Sequence, residues 1–238
     1  MSLSKEYIKH GNLFFKYRTY VPLLIILPII FCIYLFPDFY FTKDIKIFYL
    51  SIIISFTGQL IRVLTVGFTP SGTSGRNTSK QIANSLNTKG IYSIVRHPLY
   101  LGNYLIWLGF LIYLSNFYTI LIFSIFYYYY YHKIMYAEEA FLINKFNEKY
   151  YNWSKNVPSF IPNFLRYKRS GVKFSFRKIF IREYSNISGI FIGFLLLSYA
   201  EYIFTNNKTI LYHNYETILI STMIFIFLCR FLKKGRIL

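Results

Sequence analysis

The sequence predicts an all-α, polytopic membrane protein of about six transmembrane helices with a cytoplasmic cap, and three observations carry that prediction. Apolar runs of bilayer-spanning length recur along the 238 residues. Charged residues make up only 15% of the chain, against about 25% in soluble domains. The cations are also sorted by position, nearly all of them falling on one side of the predicted spans.

A bilayer core takes about 20 mainly apolar residues per helix. The candidate spans are Tyr20 to Pro37, Ile45 to Phe68, Leu99 to Asn116, Phe117 to Met135, Ser188 to Phe204 and Thr217 to Phe231. The first follows a basic N-terminus but has a long apolar core and no small-residue cleavage site, so it reads as a retained span rather than a signal peptide. The third and fourth meet at Ser115-Asn116 with no charge between them, which predicts a tight helical hairpin. The organisation expected is an N-terminal segment with the first span (1–44), a core (45–165) and a basic linker with two C-terminal spans (166–238).

Twenty-three of the 27 Lys and Arg lie in the N-terminus, the loop after span two, the segment around 133–183 and the C-terminus. Only Lys43, Lys46 and Lys208 lie in the opposite loops, and Arg62 lies within span two. Cytoplasmic loops collect Lys and Arg, so both termini are expected in the cytoplasm, a parity that six spans satisfy. The net charge of +18 therefore reads as a collar facing an anionic leaflet, not as a nucleic-acid surface. The tyrosine run 127–131 reads as an interfacial aromatic belt. Cys32 and Cys229 both lie in apolar runs without CxxC or Cys/His spacing, so buried free thiols are expected and neither a disulfide framework nor a metal site is implied.

Two predicted cytoplasmic stretches interrupt the apolar pattern. The first runs from Gly67 to Tyr100. Its Gly, Ser and Thr content marks a loop, and GTSGRNTSK lacks the order of a phosphate-cradling P-loop. The stretch ends in Arg96-His97-Pro98 before span three. Proline suits the first helical position, which puts His97 at the cap. The two residues read either as cap and anchor or as part of an anion site at the helix N-terminus. The second stretch begins at Glu138-Glu139 and continues through Phe141, Phe146, Tyr150 and Trp153 to VPSFIP (157–162). Its helical spacing predicts an amphipathic helix against the inner face of the membrane. Adjacent helical residues point about 100° apart, so one glutamate can face a pocket while the other faces solvent or a basic loop. Arg62 reads either as snorkelling to the interface or as binding an anionic acceptor group.

The pattern built by Gly90, Ile91, Tyr92, Arg96, His97, Pro98, Tyr100 and Gly102, a hydrophobic hairpin, Glu138-Glu139, Phe146, Tyr150 and a closing Val157-Pro158 and Ile161-Pro162 resembles the isoprenylcysteine carboxyl methyltransferase superfamily. It is similar also to membrane phospholipid methyltransferases and, closest in type, to bacterial lipid A phosphate methyltransferases. The resemblance covers roughly residues 55–165 and leaves out the spans beyond 184. It implies that the cytoplasmic cap binds S-adenosylmethionine, with Asn84, Ser85, Leu86, Asn87, Tyr92, His97, Pro98, Leu99, Tyr100 and Glu138 as cofactor-binding residues. Arg62, Arg96 and Glu139 are the candidate catalytic residues. In prenylcysteine enzymes an arginine four residues before the first glutamate binds the substrate carboxylate, and here that position is Ile134.

The function expected is methyl transfer from S-adenosylmethionine to a lipid or lipid-linked acceptor, with an anionic phosphate head group favoured, at the inner membrane of a bacterium. The rivals are an NADPH-dependent membrane sterol or enone reductase, because such reductases share RHP-x-Y-x-G, and carboxyl methylation of a prenylcysteine-like acceptor. Membrane lipids are the expected partners, nucleic acid is not, and Gly189-x-x-x-Gly193 is compatible with weak self-association.

Overall fold

The computed structural model describes residues 2–18, 20, 24–41, 44–70, 72–73, 81–205 and 215–234. Lys43, Lys208, Asn77 and the part of GTSGRNTSK from residue 74 onward lie outside the described residues. Among those residues the chain is helical: α1 (Leu3–Tyr17), α2 (Ile26–Leu35), α3 (Ile45–Gly67), α4 (Pro98–Leu114), α5 (Phe117–Phe146), α6 (Glu148–Ser154), α7 (Phe176–Thr205) and α8 (Tyr215–Lys234).

Two of these helices, α3 and α7, are long and apolar enough to cross a membrane, whereas α2 and α4 are apolar but shorter. Only 28% of the most apolar stretch of α3 and of α7 is buried inside the protein. The rest of each is half-buried or exposed, and Leu27, Phe31 and Tyr34 on α2 and Met223, Phe227 and Phe231 on α8 are exposed. Apolar surface on this scale is foreign to a water-soluble monomer, and it marks a membrane protein. Cys229 is buried, but Cys32 is exposed on this apolar surface, which corrects the expectation of two buried thiols.

The predicted hairpin forms where expected. Ser115 closes α4 in the left-handed conformation (φ 60°), and the Asn116 side chain then caps α5 by accepting from the Thr119 N–H. Helix α5, however, does not stop at Met135. It runs 30 residues to Phe146, about 45 Å at 1.5 Å per residue, longer than a bilayer core of about 30 Å. Glu138 and Glu139 therefore ride on the continuation of the predicted span rather than on a separate amphipathic helix. The break comes at Asn147, with φ 44°, and α6 follows. Helix α7 likewise starts at Phe176, twelve residues ahead of the expected span.

Helices α3 and α4 form the closest pair. Between apolar helices in lipid there is little hydrophobic drive, so small residues and interhelical hydrogen bonds hold the contact. Gly58 and Gly102 sit against each other's carbonyls, and Gly109 lies against Ser51 and Ser55. The Ser55 hydroxyl donates across the seam to the Ile106 carbonyl at 3.0 Å. Helix α1 packs on the far half of α5: Gly11 rests on the Lys133 carbonyl, and Phe14 stacks on Tyr130 at 4.7 Å. Helices α7 and α8 pair with each other, and α7 also lies on α3.

Candidate active site

The site is built where the chain enters α4. The Ile91–Ser93 turn leads into Arg96-His97, with His97 at the N-cap of α4 and Pro98 at its first position. This segment is held by the VPSFIP stretch running beside it. The Arg96 N–H donates to the Pro158 carbonyl (2.9 Å), the His97 N–H to Ser159 (3.1 Å), and the Asn163 N–H to Ile94 (2.9 Å). The two prolines at 158 and 162 thus flank a backbone clamp on Arg96 and His97. From α6, the Trp153 indole N–H donates to the Tyr92 carbonyl at 3.0 Å.

Helix α5 brings both glutamates to this entry point. Arg96 Nη1 lies 2.7 Å from Glu139 Oε2, and His97 Nε2 lies 2.8 Å from Glu139 Oε1. His97 Nδ1 lies 3.5 Å from Glu138 Oε2, and the Tyr100 hydroxyl donates to Glu138 Oε1 at 2.8 Å. Arg96 also donates to the Tyr150 hydroxyl at 3.3 Å. Burial alone would lower the His97 imidazole, but the hydrogen bonds and charges of Glu138 and Glu139 outweigh it and hold the ring above its usual range. Burial would likewise raise Glu139, but the His97 hydrogen bond and charge, with Arg96 behind them, keep that carboxyl low.

The segment leading to this cluster lines a cavity of about 310 Å³, walled by Ser85, Leu86, Asn87, Lys89, Tyr92 and residues at the end of α3. That volume is at the lower end of small-molecule sites. Tyr92, on the cavity wall, lies four residues before Arg96 in the chain. Burial, then the charge of Glu138, push its hydroxyl well above the ordinary phenol range, opposed by a hydrogen bond with Asn87.

Most of the sequence-predicted residues fall into two groups. Ser85, Leu86, Asn87 and Tyr92 line the cavity. Arg96, His97, Tyr100, Glu138 and Glu139 form the polar cluster, with Pro98 buried at its base. Asn84 is exposed and does not line the cavity. Arg62 neither snorkels nor joins the cluster. It forms a bidentate pair with Glu183 of α7, with Nε to Oε2 and Nη2 to Oε1 both 2.9 Å, and donates to Asn103 at 2.6 Å and the Leu99 carbonyl at 3.4 Å. Gln59 and Asn186 also donate to Glu183. The sequence reading missed Glu183, although a lone acid within a strongly cationic run was a usable signal. Ile134 is fully buried. Lys133, next to it, turns away to lie over the Tyr129 ring at 4.2 Å and the Phe14 ring at 5.5 Å.

Residues 47–149, which hold the RHP segment and both glutamates, match the phospholipid methyltransferase family. This segment is similar to the isoprenylcysteine and phospholipid methyltransferases. A protein-S-isoprenylcysteine O-methyltransferase of Schizosaccharomyces pombe is 36% identical over 95 residues, 37% of this chain and 40% of the relative. The chain thus spans about 40% of the length of the curated relative it matches. No solved structure matches the chain.

The residues present fit a cofactor of the S-adenosylmethionine type. Asn87 and Tyr92 offer polar atoms at the cavity wall. Glu138 is a quarter exposed and retains lone pairs for an ammonium or ribose hydroxyl. Glu139, in contrast, is fully engaged between Arg96 and His97, where it orients the imidazole.

Proposed function

We propose that the chain is a membrane methyltransferase that moves a methyl group from S-adenosylmethionine to a lipid or lipid-linked acceptor carrying an anionic head group. The observation that carries this reading is the His97–Glu138–Glu139 cluster at the entry to α4, preceded in the chain by the polar cavity wall from Ser85 to Tyr92. S-adenosylmethionine supplies an electrophilic methyl carbon when bound. The protein's part is to hold donor and acceptor in line and exclude water, which provides most of the rate in such transfers. Tyr92 and Asn87 form the cavity wall, Glu138 takes a positive or hydroxyl group of the donor, and Arg96 with Glu139 fixes His97.

The acceptor is inferred from two features. The position that in prenylcysteine enzymes carries the carboxylate-binding arginine is the buried Ile134, and Lys133 does not substitute for it because it is held against Tyr129 and Phe14. The cation-rich face of the predicted topology favours an anionic lipid instead. Six spans with both termini in the cytoplasm complete the proposal and put the site at the inner face of the membrane.

The test is binding of S-adenosylmethionine or its demethylated product to the purified chain in detergent. Wild type is expected to bind. His97→Ala and Glu138→Ala are expected to bind at least about 100-fold more weakly, since loss of a charged hydrogen-bonding partner costs several kcal/mol. Wild-type affinity in both variants would overturn the site. Lipid mass spectrometry of cells with and without the gene then identifies the acceptor. A lipid one methyl heavier is expected, and a new methyl ester on a protein carboxyl terminus with an unchanged lipidome would return the prenylcysteine alternative.

A further inference from the structure

A second cavity, of about 470 Å³, adjoins the first and is built mainly by residues outside the family-matched segment. The two share Phe68, Ser170, Gly171 and Val172 as a common wall. The remaining lining is Tyr167, Arg169, Lys173 and Phe174, with no acidic residue among them. We infer that this cavity holds the phosphate-bearing head group of an anionic lipid, with Arg169 and Lys173 as its cationic contacts. The inference relies on the proposed methyltransferase function only for naming that lipid as the acceptor.

Three observations support it. No carboxylate among the described residues pairs with Arg169 or Lys173, and both are exposed, so their charge is available to a ligand. They belong to a run from 163 to 182 that contains seven cations and no acid. Neighbouring cations in that run are already engaged: Arg166 on Asn156 and Lys178 on the Thr69 carbonyl. Arginine pairs bidentately with phosphate, and lysine adds a point charge.

The rest of the lining argues for an amphiphile over a free ion. Phe68 and Phe174 lie 4.9 Å apart, and Phe176 continues the aromatic surface 5.0 Å beyond Phe174. Phe176 is largely exposed. A cationic cavity bordered by an exposed aromatic surface suits a charged head followed by acyl chains. The shared wall would then set the head group beside the cavity assigned to the methyl donor.

The experiment measures binding of three probes to the full chain in uncharged detergent: dihexanoyl phosphatidate, dihexanoyl phosphatidylcholine and inorganic phosphate. Phosphatidate is expected to bind at least tenfold tighter than either of the others. Arg169→Gln with Lys173→Gln is expected to weaken phosphatidate roughly tenfold or more, because each cation near an anionic lipid contributes about 1 kcal/mol. Arg169→Lys with Lys173→Arg should retain it. Both side chains are exposed, and S-adenosylmethionine affinity measured on the same samples should not change. Wild-type phosphatidate binding by the glutamine double variant would overturn the site, and inorganic phosphate binding as tightly as phosphatidate would overturn the lipid assignment. If S-adenosylmethionine binds no form of the protein, the methyltransferase reading fails, and the phosphatidate series still decides the head-group site.

Discussion

At the residue scale, the pairing of His97 with Glu139 makes a prediction about pH. The imidazole is held above its ordinary 6.5. A group whose folded pKa exceeds its unfolded value contributes stability that is complete below the unfolded pKa and is lost as pH rises through the folded one. Glu139 is the opposite case, held below its ordinary 4.5. Its contribution is present above that value and is lost as pH falls through the depressed one. Together they predict a stability plateau between about pH 4.5 and 6.5, with losses on both sides. Thermal unfolding in detergent across this range should show it. His97→Asn should remove the alkaline-side loss, and an unchanged alkaline limb in that variant would assign the loss to another group. The individual site residues were legible to different degrees. His97 at the cap and Pro98 after it follow from local rules of helix starts, and they stand where the sequence put them. The engagement of Glu139 by both Arg96 and His97 was not legible, because it joins residues 42 and 43 positions apart.

At the scale of elements, the Arg62–Glu183 pair ties α7, outside the family-matched segment, to α3 within it. Both side chains are buried, with Glu183 only 1% exposed. Breaking a buried pair by removing one partner costs on the order of 3–5 kcal/mol, since the other charge is left unpaired, whereas replacing both with apolar residues of similar volume is often neutral. Glu183→Leu and Arg62→Met are therefore each expected to destabilise the protein, and the double variant to recover much of the loss. Unfolding midpoints of the four proteins measure the coupling, and simple additivity would show that the two side chains act independently. Hydropathy did not reveal this link, because it reports the thickness of the bilayer rather than the length of a helix. The apolar runs of α3 and α4 gave bounds within a residue or two. Helices α5 and α7 instead extend past their apolar stretches into polar sequence, and those extensions carry Glu138, Glu139 and Glu183. Helix α1 was invisible for the same reason, being amphipathic and too polar to register as a span.

For the whole molecule, the contacts sort themselves to two ends. One end gathers the C-terminus of α3, the N-terminus of α4, the C-terminal part of α5 and the start of α7, joined through Arg62–Glu183 and His97–Glu139. The other gathers the α4–α5 turn, the segment before α3 and the far end of α7. There the Phe41 N–H donates to the Leu114 carbonyl, Asn116 donates to the Phe39 carbonyl, and Tyr113 donates to Glu201 at 2.6 Å. Helices α3, α4, α5 and α7 alternate between these ends, and the Lys and Arg from 145 to 182 close α5, follow it or open α7 on the side bearing His97. Lys and Arg are retained on the cytoplasmic side, and an anionic inner leaflet attracts each by about 1 kcal/mol. The prediction is that positions 77 and 173 face the cytoplasm and positions 43 and 208 face outside. Single cysteines at the four positions, in a background with Cys32 and Cys229 replaced, can be probed on intact cells with a membrane-impermeant maleimide. Labelling is expected at 43 and 208 at once, and at 77 and 173 only after permeabilisation. Labelling of 173 from outside would put the Arg169–Lys173 cavity and the His97 cluster on the outer face, away from any cytoplasmic supply of S-adenosylmethionine, and the proposed reaction would lose its methyl donor.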